Sequence, residues 1–132
     1  MLIYNQKTGL LTRDLTPLGS GYSGRGAGRN NPRMQGIRSI GPIPCGEYQI
    51  GPAYDTRNLG PVSIPLTPIG HDAMGRSGFF VHGDNSSGDA SHGCIVLPRP
   101  IRDQIARLRK SGESLLVISG EPEPEQPGPE AA

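Results

Sequence analysis

The chain has no tryptophan, two cysteines and three histidines among its 132 residues, and its other aromatic residues are four Tyr and two Phe. Two cysteines allow at most one disulfide, Cys45 with Cys94, so the fold cannot be a disulfide scaffold. No stretch approaches the roughly 20 consecutive apolar residues that a membrane-spanning helix needs. The start, "MLIYNQKTGLL", lacks a basic leader region, a long apolar run and a small-residue cleavage site, so neither a secretory signal peptide nor a membrane anchor is expected. The 13 Lys and Arg nearly balance the 12 Asp and Glu, for a formal net charge of +1. The positive residues are scattered and do not interleave with aromatics, which argues against a nucleic-acid partner.

What the chain has in quantity is glycine (20) and proline (14). Part of the proline sits in the tail "EPEPEQPGPEAA", which alternates Glu and Pro, has little to bury, and is expected to be disordered from residue 121 to 132. The remaining glycines and prolines punctuate short apolar runs, the pattern of one mainly β domain over residues 1–120. "LIYN" and "LLTR" read as a hairpin closed at Gly9. "CGEYQIG", "PVSIPLT", "SGFFVHG", "CIVL" and "ESLLVIS" read as further strands, with His82 ending one and Cys94 beginning another. Residues 19–32 have almost nothing to bury and read as a long loop. One helix is expected from about Pro100 to Lys110. Pro100 suits a first turn, Ile101, Ile105 and Leu108 share a face, Arg107, Arg109 and Lys110 favour the C-terminal end, and Gly112 is placed to stop it.

The chemistry-bearing residues are concentrated in "FFVHGDNSSGDASHGCIVLPRP", residues 79–100, which holds two of the three histidines and one cysteine. Gly19, Gly21 and Gly24 match G-x-G-x-x-G, but "RGAGRNNP" follows and cannot start the helix that a dinucleotide fingerprint requires. Those glycines instead suit close approach of backbone to backbone or to a ligand. His71, His82, His92 and Cys94 are chemically competent zinc ligands, yet no tight zinc spacing is present. A thiol paired with an imidazole is the other reading. A free cysteine is only slightly ionised at neutral pH, and a nearby histidine that accepts its proton removes that handicap. Gly93 before Cys94 would let a carbonyl come close, with backbone N–H groups available to a developing oxyanion.

"VHG" at a strand end followed by "SHGCIVL" resembles the signature of the L,D-transpeptidases with a YkuD-like domain, which remodel bacterial peptidoglycan. Here only twelve positions separate His82 from Cys94, and Val96-Leu97 stand where that family usually has a polar residue. The order "YSGRGAGRNNP", "GPIPCGEYQIG", "GHDAMGRSGFFVHGDN", "GCIVLPR" is similar to a compact subfamily that includes type VI secretion effectors, over roughly residues 2 to 118. The resemblance implies a β-sandwich or curled mixed sheet with one α-helix after the catalytic strand. It implies Cys94 as nucleophile, His82 as general base oriented by the Gly83 carbonyl, and His92, Ser91 and Gly93 as pocket residues, with the Gly93 and Cys94 N–H groups at the oxyanion. Asp84, Asn85 and Arg76 are candidate substrate contacts, Arg76 by a bidentate fork to a carboxylate. The implied reaction is transpeptidation or carboxypeptidation of stem tetrapeptides through a cysteine thioester, without metal or organic cofactor. The implied partners are peptidoglycan, secretion machinery and a periplasmic immunity protein. A zinc-dependent peptidoglycan peptidase or amidase and a non-enzymatic wall-binding module remain as alternatives at this point.

Overall fold

The computed structural model describes residues 1–120; the expected disorder of the Glu/Pro tail lies outside the described residues. In chain order the strands are β1 (Leu2–Asn5), β2 (Leu10–Arg13), β3 (Thr16–Ser20), β4 (Tyr22–Ser23), β5 (Gly46–Ile50), β6 (Tyr54–Thr56), β7 (Gly60–Ile69), β8 (Phe79–His82), β9 (Ile95–Val96) and β10 (Leu115–Ser119), and one α-helix among the described residues, α1 (Arg99–Lys110), lies between the last two. The fold is mainly β with one helix after β9, as expected. The first hairpin closes where the sequence places it. Asn5 Oδ1 accepts from the Lys7 and Thr8 N–H groups at 2.8 and 3.1 Å, and Gly9 takes the positive φ (78°) that the turn demands.

Nine strands form one continuous path, β3-β2-β1-β10-β5-β7-β8-β9-β4, and β6 pairs beside it with β7. The β1–β10 and β8–β9 pairs are parallel and the others antiparallel. The two ends of this path are β3 and β4, which are consecutive in the chain and separated only by Gly21. The sheet must therefore curl until its two ends come together at that residue. Gly21 is the corner: its N–H donates to Gly9 O at 2.9 Å, and a Cβ at this position would run into the Val96 carbonyl. The strands thus form one curled mixed sheet, with β6 beside it. This topology also corrects the reading of residues 19–32 as loop throughout. Tyr22 and Ser23 are strand residues, fully in the interior, paired with Val96 and Ile95. Their partners lie some seventy positions away in sequence and the strand is two residues long, so no alternation exists to be read. β9 begins at Ile95, leaving Cys94 one residue before it.

The core follows from the two-residue period of strands. Leu2 and Tyr4, Tyr48 and Ile50, Ile64 and Leu66, Phe79 and Val81, and Leu116 and Ile118 all face inward and are buried together with Ile43 and Ile95. Ile105 of α1 joins them, with Ile101 and Leu108 packed at the margin. The helix is also tied by a buried polar residue. Arg102 donates through Nε to Leu97 O and through Nη1 to Pro61 O, each at 3.1 Å, so α1 fixes the end of β9 and the start of β7. Gly83 passes so close that a Cβ there would lie 2.9 Å from Arg102 Nη2.

Gly21→Ala is expected to destabilise the protein by about 1–3 kcal/mol, because an added methyl must displace the Val96 carbonyl at the seam. Thermal melting measures this, and a melting temperature unchanged from wild type would show that the edges do not meet there.

Candidate active site

β8 and β9 run parallel with Val81 opposite Ile95 and His82 opposite Val96. Cys94, one step before β9, therefore falls opposite Phe80, and the Phe80 N–H points at Cys94 Sγ at 3.3 Å. Residues two apart on a strand share a face, so His82 and Cys94 are diagonal neighbours on one face of the sheet. The histidine is only 3% exposed. Its Nδ1 lies 2.8 Å from Gly83 O. A carbonyl only accepts, so Nδ1 carries the hydrogen and Nε2 keeps the lone pair of a base.

Burial works on both partners in the direction that removes charge. It holds the His82 imidazole below the usual histidine range, against an opposing effect of the Gly83 carbonyl. It pushes the Cys94 thiol up, against the Phe80 N–H and the positive charge of Arg76. The resting pair is thus a neutral thiol and a neutral imidazole rather than a preformed ion pair. Cys94 is partly exposed and opens into a cleft of about 380 Å³, whose walls include Arg38, Ser39, Arg76, Gly78 and His92. His82 opens into a neighbouring cleft of about 230 Å³ with Asp84, Asn85, Asp89 and His92. The exposed His92 belongs to both and stands between them.

The turn carrying Cys94 is held by two buried serines. Ser91 Oγ accepts from the Gly24 N–H at 2.8 Å and the Gly93 N–H at 3.1 Å, and donates to Cys94 O at 2.6 Å. Ser23 Oγ donates to Gly93 O at 3.1 Å and accepts from the Ile43 N–H at 2.9 Å. Gly93 has φ 125°, and a Cβ on it would strike Arg76 Nη2, so no other residue fits. Ser91 thus buttresses the turn. The Gly93 N–H, expected at the oxyanion, is instead engaged by Ser91.

Arg76 also has a different occupation from the carboxylate fork expected of it. Its Nη1 donates to Gln35 O at 2.5 Å and Pro42 O at 2.8 Å, and its Nη2 to Gly41 O at 3.0 Å and His92 O at 3.4 Å. Asp84 accepts from the Tyr22 hydroxyl at 2.6 Å and the Asn85 N–H at 2.8 Å, and Asn85 braces the following loop through the Ser87 and Asp89 N–H groups. His71 stands apart from this cluster: its Nε2 meets Glu47 O at 3.0 Å, its Nδ1 accepts from the Ala73 N–H at 3.1 Å, and its ring packs edge-on against Tyr48. Among the described residues no group of three or more His, Cys, Asp or Glu is placed to hold a metal ion. Cys45 and Cys94 are not joined in a disulfide.

Four contributors escaped the sequence reading: Tyr22, Ser23, and the wall residues Arg38 and Ser39. None carries a local signal: Tyr22 acts through Asp84, Ser23 through Gly93 and Ile43, each 20 or more positions away, and Arg38 and Ser39 reach the cleft wall only through the fold.

A family model for the Tlde1 domain matches residues 19–121, which include every residue lining both clefts. The chain belongs to the Tlde1-domain family. The Tlde1 domain is a type VI secretion effector domain, which fits an antibacterial, cell-wall-acting effector delivered by secretion or injection, and is compatible with an immunity protein and secretion machinery as partners. No curated protein matches the chain. Within the described residues of this Tlde1 domain, no helix is long and apolar enough to cross a membrane.

Ser91→Ala is expected to leave the Gly24 and Gly93 N–H groups without an acceptor in the interior and to cost about 1–3 kcal/mol. Urea unfolding reads the loss. A midpoint equal to wild type would mean that the hydroxyl does not hold the turn.

Proposed function

We propose that this Tlde1 domain is a cysteine acyltransferase acting on peptidoglycan stem tetrapeptides, as an L,D-transpeptidase or L,D-carboxypeptidase. The observation that carries the proposal is the pairing of a cleft-exposed Cys94 with a buried His82 whose Nδ1 is tied to the Gly83 carbonyl, leaving Nε2 as a base on the same sheet face. Arg38 and His92 on the cleft wall suit a donor peptide rich in carboxylates. The motif resemblance supplies the substrate class.

In the forward half-reaction His82 Nε2 takes the Cys94 proton as Sγ bonds to the carbonyl carbon of the diaminopimelate residue. The C–N bond to the terminal D-Ala then breaks, and the imidazolium returns the proton to the departing amine. A thioester on Cys94 remains. An amine acceptor, a free D-amino acid or water attacks it, gives its proton to His82, and releases the thiolate, which takes that proton back. The substrate lies outside the cytoplasmic membrane, so the reaction belongs in the periplasm of the recipient cell.

Incubation with purified tetrapeptide muropeptides, read by mass spectrometry, is expected to show loss or exchange of the terminal D-Ala. Cys94→Ser should reduce this by about three orders of magnitude or more. His82→Ala should cost about 100-fold or more and His92→Ala less. Full turnover by Cys94→Ser would rule out the thioester. Equal loss from both histidine variants would reassign the base.

The pH profile offers an independent check. His82 acts as a base only when neutral, and burial keeps its proton affinity below the ordinary histidine value of about 6.5. As pH falls from 7 through that value, kcat/KM should therefore hold level, with the acid limb appearing only lower. An acid limb at or above pH 6.5 contradicts a buried neutral base.

A further inference from the structure

Arg76 is buried to 7% exposure, and none of the ion pairs among the described residues involves it. A buried cation is normally compensated by an anion, because carbonyl dipoles alone replace its lost hydration incompletely. Here every hydrogen-bond acceptor of the guanidinium is a backbone carbonyl. The groups around it that could become negative are Tyr48 and Cys94. Tyr48 is fully buried, its hydroxyl donates to Pro44 O at 2.8 Å, and burial drives its ionisation far up. Cys94 is the remaining one. The guanidinium sits against Gly93, the residue before Cys94, in the wall of the same cleft, and no Asp or Glu lines that cleft.

We infer that Arg76 is a positioning residue whose acid-free guanidinium is the built-in counter-charge for the Cys94 thiolate, and for the negative charge that develops beside it during acyl transfer. The same fork fixes where that charge sits. It reaches Gln35, Gly41 and Pro42, which flank the wall residues Arg38 and Ser39 in the chain, and His92 before Cys94, so it ties the two sides of the cleft to one cation. Its aromatic neighbour Phe79, 5.5 Å away on β8, completes a low-dielectric surround in which the charge acts strongly. Burial lowers the proton affinity of Arg76 without bringing it near neutrality. The inference rests on Cys94 being the nucleophile, but its test needs no peptidoglycan.

The other charged and titratable groups facing Cys94 are Arg38 and His92 in the cleft and His82 across β8, and these stay constant in the comparison. The test is the rate of Cys94 carbamidomethylation by iodoacetamide against pH, located by peptide mapping so that Cys45 is counted separately, in wild type, Arg76→Lys and Arg76→Met. Arg76→Met is expected to react about tenfold or more slowly at pH 7, with its rate rising only at higher pH. Arg76→Lys, which keeps the charge and loses the fork, should recover most of the rate. Equal rates in all three proteins, or equal losses in both variants with folding intact by circular dichroism, would overturn the counter-charge role. Should Arg76→Met not fold, the reagent preference of the wild-type protein decides. In wild type, Cys94 should prefer anionic iodoacetate over neutral iodoacetamide several-fold more than N-acetylcysteine does. A preference no greater than that of the free thiol overturns the inference. Altered alkylation without activity on muropeptides would leave the counter-charge standing while removing the proposed substrate.

Discussion

The hydroxyl of Ser91 joins the glycine-rich segment at Gly24, 67 positions away in sequence, to the turn formed by Gly93 and Cys94. It does so in the interior, where the alternative to these hydrogen bonds is unsatisfied backbone rather than water. Ser23 repeats the arrangement from the other side, linking Gly93 to Ile43. The position of the Cys94 thiol relative to β8, and so to His82, depends on this double anchorage. The curled sheet makes it available, because Ser23 reaches Gly93 only when the β3–β4 corner at Gly21 carries the chain back to β9.

The electrostatic character of the site follows from the same burial. Desolvation favours neutral forms of both the thiol and the imidazole, which would make a poor nucleophile on its own. Two features work against that penalty: the Phe80 N–H aimed at Sγ, and the guanidinium of Arg76 beside Gly93. Both are fixed by the fold, so in the proposed reaction the developing charge would meet dipoles that need no reorganisation.

Much of this was legible in the sequence because it rests on local pattern. Strand alternation, the Pro100-to-Lys110 helix and the "VHG" and "SHGC" segments each announce themselves within a few residues. The apposition of His82 and Cys94 was legible only through the motif, since strand register depends on partners the sequence does not order. What stayed hidden is nonlocal. The strand at Tyr22–Ser23 is too short to show a period, and its glycines look like a loop although Gly21 and Gly24 are there because backbone passes close by. Arg76 read as a substrate ligand because nothing near it in sequence reveals that its hydrogen bonds go to Gln35, Gly41, Pro42 and His92. The serines that hold the Cys94 turn are ordinary residues made important by being buried.

Membership of the Tlde1-domain family supplies the setting of an effector, and the proposed chemistry adds a thiol with a base and a fixed counter-charge. The proposed link between them is a covalent intermediate on Cys94. Intact-mass spectrometry of the protein, quenched in acid during turnover of tetrapeptide muropeptide, tests that link most directly. The account predicts a mass increase equal to the donor peptide less D-Ala, carried on Cys94 and discharged by hydroxylamine. Turnover of the muropeptide with no adduct on Cys94, under conditions that trap a thioester on a known thiol enzyme, would contradict it.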